Sequence, residues 1–348
     1  MTKAAVLTGV KKYEIRDVDL PPLPDDGLLL DVIACGVCGS DLRRWREGPP
    51  EGFENIISGH EVAAVVAAVG KDVTDYKVGD RLALAPDVHC GKCYFCQHGQ
   101  YNLCDNLKLV GISPDIPGGF AEQMILTGDV LRNGIVHRIP EGMSDLHATL
   151  SEPASSVLAS HQKAGTTLGN TVVVLGGGPI GCLHIAVAKE RGAKVILSEP
   201  TEVRRKMAVN FNPEAIIDPS AEDVVKRVKE LTNGLGADIV ICANPVAVTQ
   251  TQAVEMVRKG GRVVLFGGLP KANPMTSLDG NKIHYGEINV VGAFSYHPTV
   301  HAQALQFFAD RPELAEKLIS HIYSLDQVND AFSIAGSGDA LKVVVLNR

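Results

Sequence analysis

Two polar islands interrupt an otherwise apolar first half of the chain: Cys38-Gly39-Ser40-Asp41 and Gly59-His60-Glu61. A thiol, an imidazole and a carboxylate are the ligand set of a catalytic zinc site that keeps one position open for substrate. Each residue alone reads as structural, since a buried cysteine is commonly just a small apolar side chain. Their coexistence with a dinucleotide-binding pattern turns the reading to a metal centre. A denser group follows, Cys90-Gly91-Lys92-Cys93-Tyr94-Phe95-Cys96 with Cys104 beyond it, giving C-x2-C-x2-C-x7-C. Four thiolates close a tetrahedral site with no room for substrate. That is the chemistry of a structural zinc, needed to pin a lobe (about residues 88–106) too small for its own core. An iron–sulfur cluster competes for C-x2-C-x2-C, but in ferredoxins the fourth cysteine follows after three residues.

The third chemical element lies at the middle of the chain. Val172-Val173-Val174-Leu175 reads as a buried parallel strand, and Gly176 to Gly181 spell G-x-G-x-x-G. A helical pattern from Ile180 to Arg191 stops at Gly192, and a second apolar strand, Val195-Ile196-Leu197-Ser198, stops on Glu199. Gly176 permits the tight turn, Gly178 lets backbone approach a pyrophosphate, and Gly181 lets helix pack on strand. The helix N-terminus offers unpaired N–H groups to the phosphates. Glu199 stands where a carboxylate accepts both ribose hydroxyls and repels a 2′-phosphate, which favours NAD over NADP. Arg204 and Arg205 follow the acid rather than replace it.

These groups need elements to hold them. Residues 1–152 are rich in Gly, Pro and short apolar runs such as Leu28 to Ile33 and Val62 to Val69, and predict a small β-rich, barrel-like domain. After Glu199, strands (Ala215 to Asp218, Asp238 to Cys242, Gly260 to Gly268, Glu287 to Ala293) alternate with helical stretches (Ala221 to Leu231, Val248 to Arg258). That alternation predicts an α/β fold with a doubly wound parallel sheet over 153–293. Ligand belongs at the carboxyl ends of its strands, which places Gly267, Gly268, Ala293 and Phe294 toward a nicotinamide. Residues 294–348 predict helices over His301 to Ala309, Pro312 to Ser320 and Gln327 to Ala335, then a strand from Lys342 to Leu346. Cys35, Cys182 and Cys242 read as core, and Asn210-Phe211-Asn212-Pro213 as a surface turn.

The chain is 348 residues long, with 45% hydrophobic and 21% charged residues, which suits two globular domains. Its net charge of −7 leaves no footprint for nucleic acid or an anionic membrane. The N-terminal residues lack a signal peptide's apolar core, and no window approaches the roughly 18 apolar residues of a membrane span. Eight cysteines, four of them at metal-ligand spacing, predict reduced thiols and a cytoplasmic protein.

Taken in order, Cys-Gly-Ser-Asp, Gly-His-Glu, the four-cysteine lobe, Glu152-Pro153 and Gly-Gly-Gly-Pro-Ile-Gly resemble the zinc-dependent medium-chain dehydrogenases over the whole chain. Within them the sequence is similar to the branch of sorbitol (polyol) dehydrogenases and L-threonine 3-dehydrogenases; Ser198-Glu199-Pro200 with Arg204-Arg205 is especially similar to the latter. The resemblance implies a groES-like catalytic domain interrupted by a Rossmann NAD-binding domain and completed by the C-terminal residues. It implies Cys38, His60 and Glu152 around a catalytic zinc, with Glu61 ligating or standing just behind. It also implies NAD contacts from Gly176, Gly178, Pro179, Ile180, Gly181, Glu199, Arg204, Phe266, Gly267, Gly268, Ala293 and Phe294. A homodimer or homotetramer is implied as well, for which the last sheet strand, Ile288 to Ala293, offers a pairing edge.

The expected reaction is reversible hydride transfer between NAD and a secondary alcohol, foremost a polyol. Zinc lowers the pKa of a bound hydroxyl from about 16 toward about 7. Ser40 would take the proton, unless it only caps a turn or a helix beginning at Asp41. Some family members continue the relay through a histidine three residues on, where this chain has Arg43, a poor proton acceptor. Exit would then run through water, Glu61 or Glu152. Arg43, Arg44 and Tyr296 are the expected substrate-side residues. The arginines could clamp a phosphate or carboxylate, or belong to a solvated face. Polyol-phosphate, L-threonine and simple secondary-alcohol oxidation remain alternatives, as does an NAD-binding sensor or assembly protein without catalysis.

Overall fold

The computed structural model describes residues 1–53 and 56–347. Arg348, the expected end of the last segment, lies outside the described residues. The chain divides into two compact units, one made of Met1–Ser155 with Tyr296–Arg348 and the other of Ser156–Ser295. Among the described residues no helix is long and apolar enough to cross a membrane.

The first unit is built on an open sheet whose strands read, in chain order, β1 (Leu28–Gly36), β2 (Glu61–Val69), β3 (Arg81–Ala85), β4 (Gln123–Leu126) and β5 (Ile135–Arg138). Helix α1 (Gly39–Glu47) leaves the end of β1, and α2 (Ser151–Ala164) follows the last of these strands. Burial alternates along β1, so Leu28, Leu30, Val32 and Ala34 face the core while Leu29, Asp31 and Ile33 are half-buried. Phe120, Phe332, Leu82, Leu84 and Leu126 fill that core. β1 pairs antiparallel with β2 in a register that sets Gly36 opposite Glu61. The two chemically important strand ends therefore meet.

The second unit is a six-stranded parallel sheet. Its strands are β6 (Thr171–Leu175), β7 (Lys194–Ser198), β8 (Ala215–Ile217), β9 (Ala237–Cys242), β10 (Val257–Leu265) and β11 (Asn289–Gly292), in the spatial order β8-β7-β6-β9-β10-β11. Val172, Val173 and Val174 are fully buried, as two-face coverage of a parallel sheet demands. Helix α3 (Pro179–Glu190) follows β6, with Gly178 as its N-cap and Pro179 in its first turn, where a missing N–H costs nothing. Helix α4 (Ala247–Met256) joins β9 to β10. The expected helix from Ala221 begins instead at Val224, because Asp223 caps it by accepting from Lys226 N. Phe211 corrects the surface-turn reading: its ring is buried, and the turn closes on Asn212 in the left-handed region.

The C-terminal residues complete the first unit. Helix α5 (Pro298–Ala309) is followed by β12 (Ile319–Ser324) and β13 (Lys342–Leu346), and β13 lies between β12 and β1 in the sheet. This brings Lys342 beside the metal-ligand candidates.

Candidate active site and metal centres

The segment after β1 turns sharply into α1, and Cys38 stands at its N-cap in extended conformation. The helix begins at Gly39, not Asp41, so Ser40 lies within the first turn rather than capping it. Asp41, at the third helical position, accepts from Cys38 N at 3.0 Å and fixes that residue. The other oxygen of Asp41 lies 3.4 Å from Nδ1 of His60. That leaves Nε2 of His60 as the ligand nitrogen, and Ser40 Oγ sits 3.4 Å from it. A ligand atom from each of Cys38, His60 and Glu61 falls within 4.8 Å of the others. Gly36 is required here, because a Cβ would clash with the Glu61 carboxylate across the β1–β2 pair.

Glu152 stands outside that trio, close enough to interact electrostatically with His60 and Glu61. Burial pushes its carboxyl up to about 7. Tyr296, expected on the substrate side, is itself buried and donates its hydroxyl to Glu152 Oε1 at 3.0 Å. Glu61 is fully buried and receives two hydrogen bonds from Lys342 Nζ, at 2.6 and 2.5 Å. Asp41, Lys342 and the Tyr296–Glu152 bond were not singled out from sequence. A carboxylate three residues after a ligand cysteine is the signal that points to Asp41, since ligating histidines usually donate their second nitrogen to a carboxylate. A thiol, an imidazole and carboxylates meet at this place. They fit a zinc ion held by Cys38, His60 and a glutamate.

The four-cysteine group also comes together, with Sγ atoms of Cys90, Cys93, Cys96 and Cys104 all within 4.8 Å. Regular tetrahedral Zn–S bonds require sulfur separations of about 3.8 Å, so the cradle suits that ion. Backbone donors already converge on it: Cys90 N and Asn106 N lie 3.2 and 3.4 Å from Cys104 Sγ. Backbone hydrogen bonds from Lys92 and Cys93 hold the Cys90 thiol down to about 6, toward the thiolate a metal needs.

In the second unit the expected dinucleotide residues gather at the carboxyl ends of the strands. Gly176 has φ +111, a backbone that favours glycine. A Cβ on Gly181 would strike the carbonyl oxygen of Gly176, so the third glycine packs the helix against the turn itself. The buried Glu199 carboxylate accepts from Gly177 N at 2.6 Å and Thr201 N at 2.8 Å. Arg205 is committed to structure, donating to the Glu199 and Pro200 carbonyls and pairing with Asp218 at 2.9 Å. Arg204 lies alongside Gly178, and its Nε has no hydrogen-bond partner among the described residues. Pro179 and Ile180 are half-buried at the helix start, Phe266 and Gly267 half-buried after β10, and Gly268 exposed. Ala293 N donates to Leu265 O, and Phe294 is exposed beyond it.

Helix α1 also carries Arg43 and Arg44, three and four residues after Ser40 and so one turn along the same face. Arg43 is exposed and Arg44 half-buried.

Comparison with known proteins gives two family matches. The alcohol dehydrogenase GroES-like domain matches residues 24–140, and the zinc-binding dehydrogenase model matches residues 179–310. Sorbitol dehydrogenase of Bacillus subtilis is 33% identical, over 99% of this chain and 96% of its own length. L-Threonine 3-dehydrogenase of Pyrococcus furiosus is 34% identical, over 96% and 94%. Among solved structures, a zinc-binding dehydrogenase of Sinorhizobium meliloti bound to NADP superposes with a TM-score of 0.89 at 33% identity, covering 99% of each chain.

Proposed function

Because the chain belongs to the zinc-binding dehydrogenases, a family of alcohol and polyol oxidoreductases, we propose that it transfers hydride reversibly between NAD and a secondary hydroxyl of a polyol. The observation that carries the proposal is the convergence of Cys38, His60 and Glu61, with Asp41 behind the imidazole. We assign the alcohol to the unit formed by residues 1–155 and 296–348, and the dinucleotide to residues 156–295. Among relatives, the sorbitol dehydrogenase similarity supports the polyol and the threonine dehydrogenase similarity is its rival.

When bound, zinc supplies Lewis acidity at the substrate oxygen and NAD accepts the hydride. The protein's part is to bind, orient and move the proton. Asp41 holds His60 so that Nε2 faces the metal position. Ser40 Oγ, beside that nitrogen, receives the hydroxyl proton of the alcohol. Arg43 cannot pass it on, since guanidinium stays protonated at working pH. Glu152, with a value of about 7, can hold a proton near neutrality and stands as the next acceptor. Glu199 supports NAD, because its buried charge opposes a 2′-phosphate. The NADP-bound S. meliloti relative makes that choice testable.

A second reading adds a phosphate to the substrate. No hydrogen bond or ion pair joins either the Arg43 or the Arg44 guanidinium to another described residue, although both follow Ser40 by one helical turn. Two guanidinium forks so placed suit a dianion.

Four cysteines gathered at metal-ligand distance support a reducing compartment, the cytoplasm. β11 closes one edge of the six-stranded sheet and supports association into a dimer or tetramer of identical chains.

The test is NADH formation by zinc-loaded protein with sorbitol, xylitol, ribitol, arabitol, galactitol, their phosphates, L-threonine and 2-butanol. Turnover of free polyols that is abolished in Cys38→Ser and little changed in Arg43→Ala is the expected result. A preference for phosphorylated polyols that disappears in Arg43→Ala selects the second reading. NAD binding without turnover of any alcohol defeats both.

A further inference from the structure

We propose that Asn244 is a positioning residue for the dinucleotide, setting the separation between the turn that takes the pyrophosphate and the strand end that takes the nicotinamide; this rests on the assignment of residues 176–181 to NAD. In the order β8-β7-β6-β9-β10-β11 the chain reverses direction across the sheet between β6 and β9. Open α/β sheets place their ligand crevice at that switch point. Asn244 lies two residues beyond β9, on that boundary.

Its side chain ties the crevice walls together. Nδ2 donates to Leu175 O at 3.0 Å, the last carbonyl before Gly176, which also accepts from Ala243 N at 2.9 Å. Oδ1 accepts from Val246 N at 3.1 Å and from Thr249 Oγ1 at 2.8 Å, at the start of α4. The amide orientation is unambiguous, because a backbone carbonyl only accepts and a backbone N–H only donates. The residue also packs against both glycine turns. A Cβ at Gly267 would lie 2.5 Å from Asn244 O and 2.8 Å from its carbonyl carbon. A Cβ at Gly176 would lie 3.3 Å from Asn244 Cβ. Gly267 N meanwhile donates to Cys242 O at 2.8 Å. One side chain thus spans from the phosphate turn to α4, and its backbone sets the floor for Gly267. Neither contact reaches Glu199, where the adenosine end binds.

The experiment compares NADH with 5′-AMP, which lacks the nicotinamide half. NADH is followed by its own fluorescence on titration, and AMP by competition. Asn244→Ala removes the link to Leu175, and Asn244→Asp keeps size and the Oδ1 acceptor while setting an oxygen against the Leu175 carbonyl. In both, the NADH Kd is expected to rise, by about tenfold in Asn244→Asp, which loses only the Leu175 bond, and by at least that in Asn244→Ala, which loses all three side-chain bonds, with the AMP Kd changing less than about twofold. The KM for NAD follows the NADH Kd, while the KM for alcohol stays within about twofold. A parallel loss of NADH and AMP affinity means general loosening and overturns the proposal. So does an unchanged NADH Kd in Asn244→Asp. Wild-type protein that binds no NADH overturns the NAD assignment itself.

Discussion

Both carboxylate oxygens of Glu61 are held by the ammonium group of Lys342, at 2.6 and 2.5 Å, in a pair that solvent does not reach. Burial works against the lysine cation, yet the Glu61 charge outweighs it and raises the Lys342 value. Lys342 also donates to the Val37 carbonyl at 3.1 Å, one residue before Cys38. Removing one partner of such a pair leaves an uncompensated buried charge, which typically costs about 3–5 kcal/mol. Lys342→Met should therefore lower unfolding stability by about that amount in urea titrations. Pairing it with Glu61→Gln should recover a large part of the loss. Equal damage in the single and double variants would show that the pair is not the source.

Glu199 is proposed to perform two tasks at one position. Its oxygens brace the glycine turn through Gly177 N and Thr201 N, and we propose that its charge meets the ribose hydroxyl or 2′-phosphate of the dinucleotide. Glu199→Gln keeps an acceptor for one of those donors and removes the charge. Hydrogen bonds to charged groups are worth about 1.5–3 kcal/mol, so the KM for NAD should rise by about tenfold or more. The ratio of kcat/KM for NAD over NADP should fall by a larger factor, because the repulsion disappears as well. Steady-state kinetics with both cofactors decides this. A ratio that stays constant would remove Glu199 from cofactor choice.

The parallel sheet was legible because a buried strand must be apolar on both faces, and the valines of 172–174 cannot mean much else. Glycine spacing in 176–181 was legible for a related reason: a backbone at φ +111 and a helix pressed on a carbonyl leave few other residues possible. Helix ends were less so, since capping by Asp223 or Cys38 moves a boundary by two or three residues without altering periodicity. Pairs distant in sequence were not legible at all. Lys342 only begins an expected strand in the sequence, and it meets Glu61 once β13 docks against β1. Tyr296 is marked for the substrate side only by the family resemblance, and its bond to Glu152 comes from tertiary packing that no local pattern announces.

Three histidines are buried as neutral groups. Burial, aided by Arg191, lowers His161 to about 3, and burial with His137 nearby lowers His301 to about 3. Burial and His161 hold His184 well below the ordinary 6.5. The unfolded chain therefore binds protons that the folded chain refuses. Their contribution to stability is complete above about pH 6.5 and is lost progressively as pH falls toward 3, at about 1.4 kcal/mol per pH unit for each histidine. Urea unfolding should show no such dependence from pH 7.5 to about 6.5 and approach that slope as pH falls to 5. His161→Gln should be less stable at pH 7.5 and show a shallower decline. An unchanged slope would mean these side chains do not govern acid sensitivity.

The cysteine lobe separates folding from chemistry. Cys90, Cys93, Cys96 and Cys104 are positioned to supply all four ligands and leave no open position, so an ion there can stabilise but cannot bind substrate. The lobe's secondary structure is a single helical turn, Tyr94–Gln97, and a three-residue helix, Tyr101–Leu103, too little to hold itself. Cys93→Ser should reduce zinc from two ions per chain to one and lower the melting temperature. It should also increase proteolytic cutting within 88–106, while the remaining folded protein keeps its KM for alcohol. Cys38→Ser should do the reverse, losing the other ion and all turnover with little change in melting temperature. Acid should release the lobe's ion, because the four thiolates must then compete with protons. Metal analysis after gel filtration, run beside melting curves for both variants, distinguishes the two centres. Loss of both ions in Cys93→Ser would mean that they are not independent.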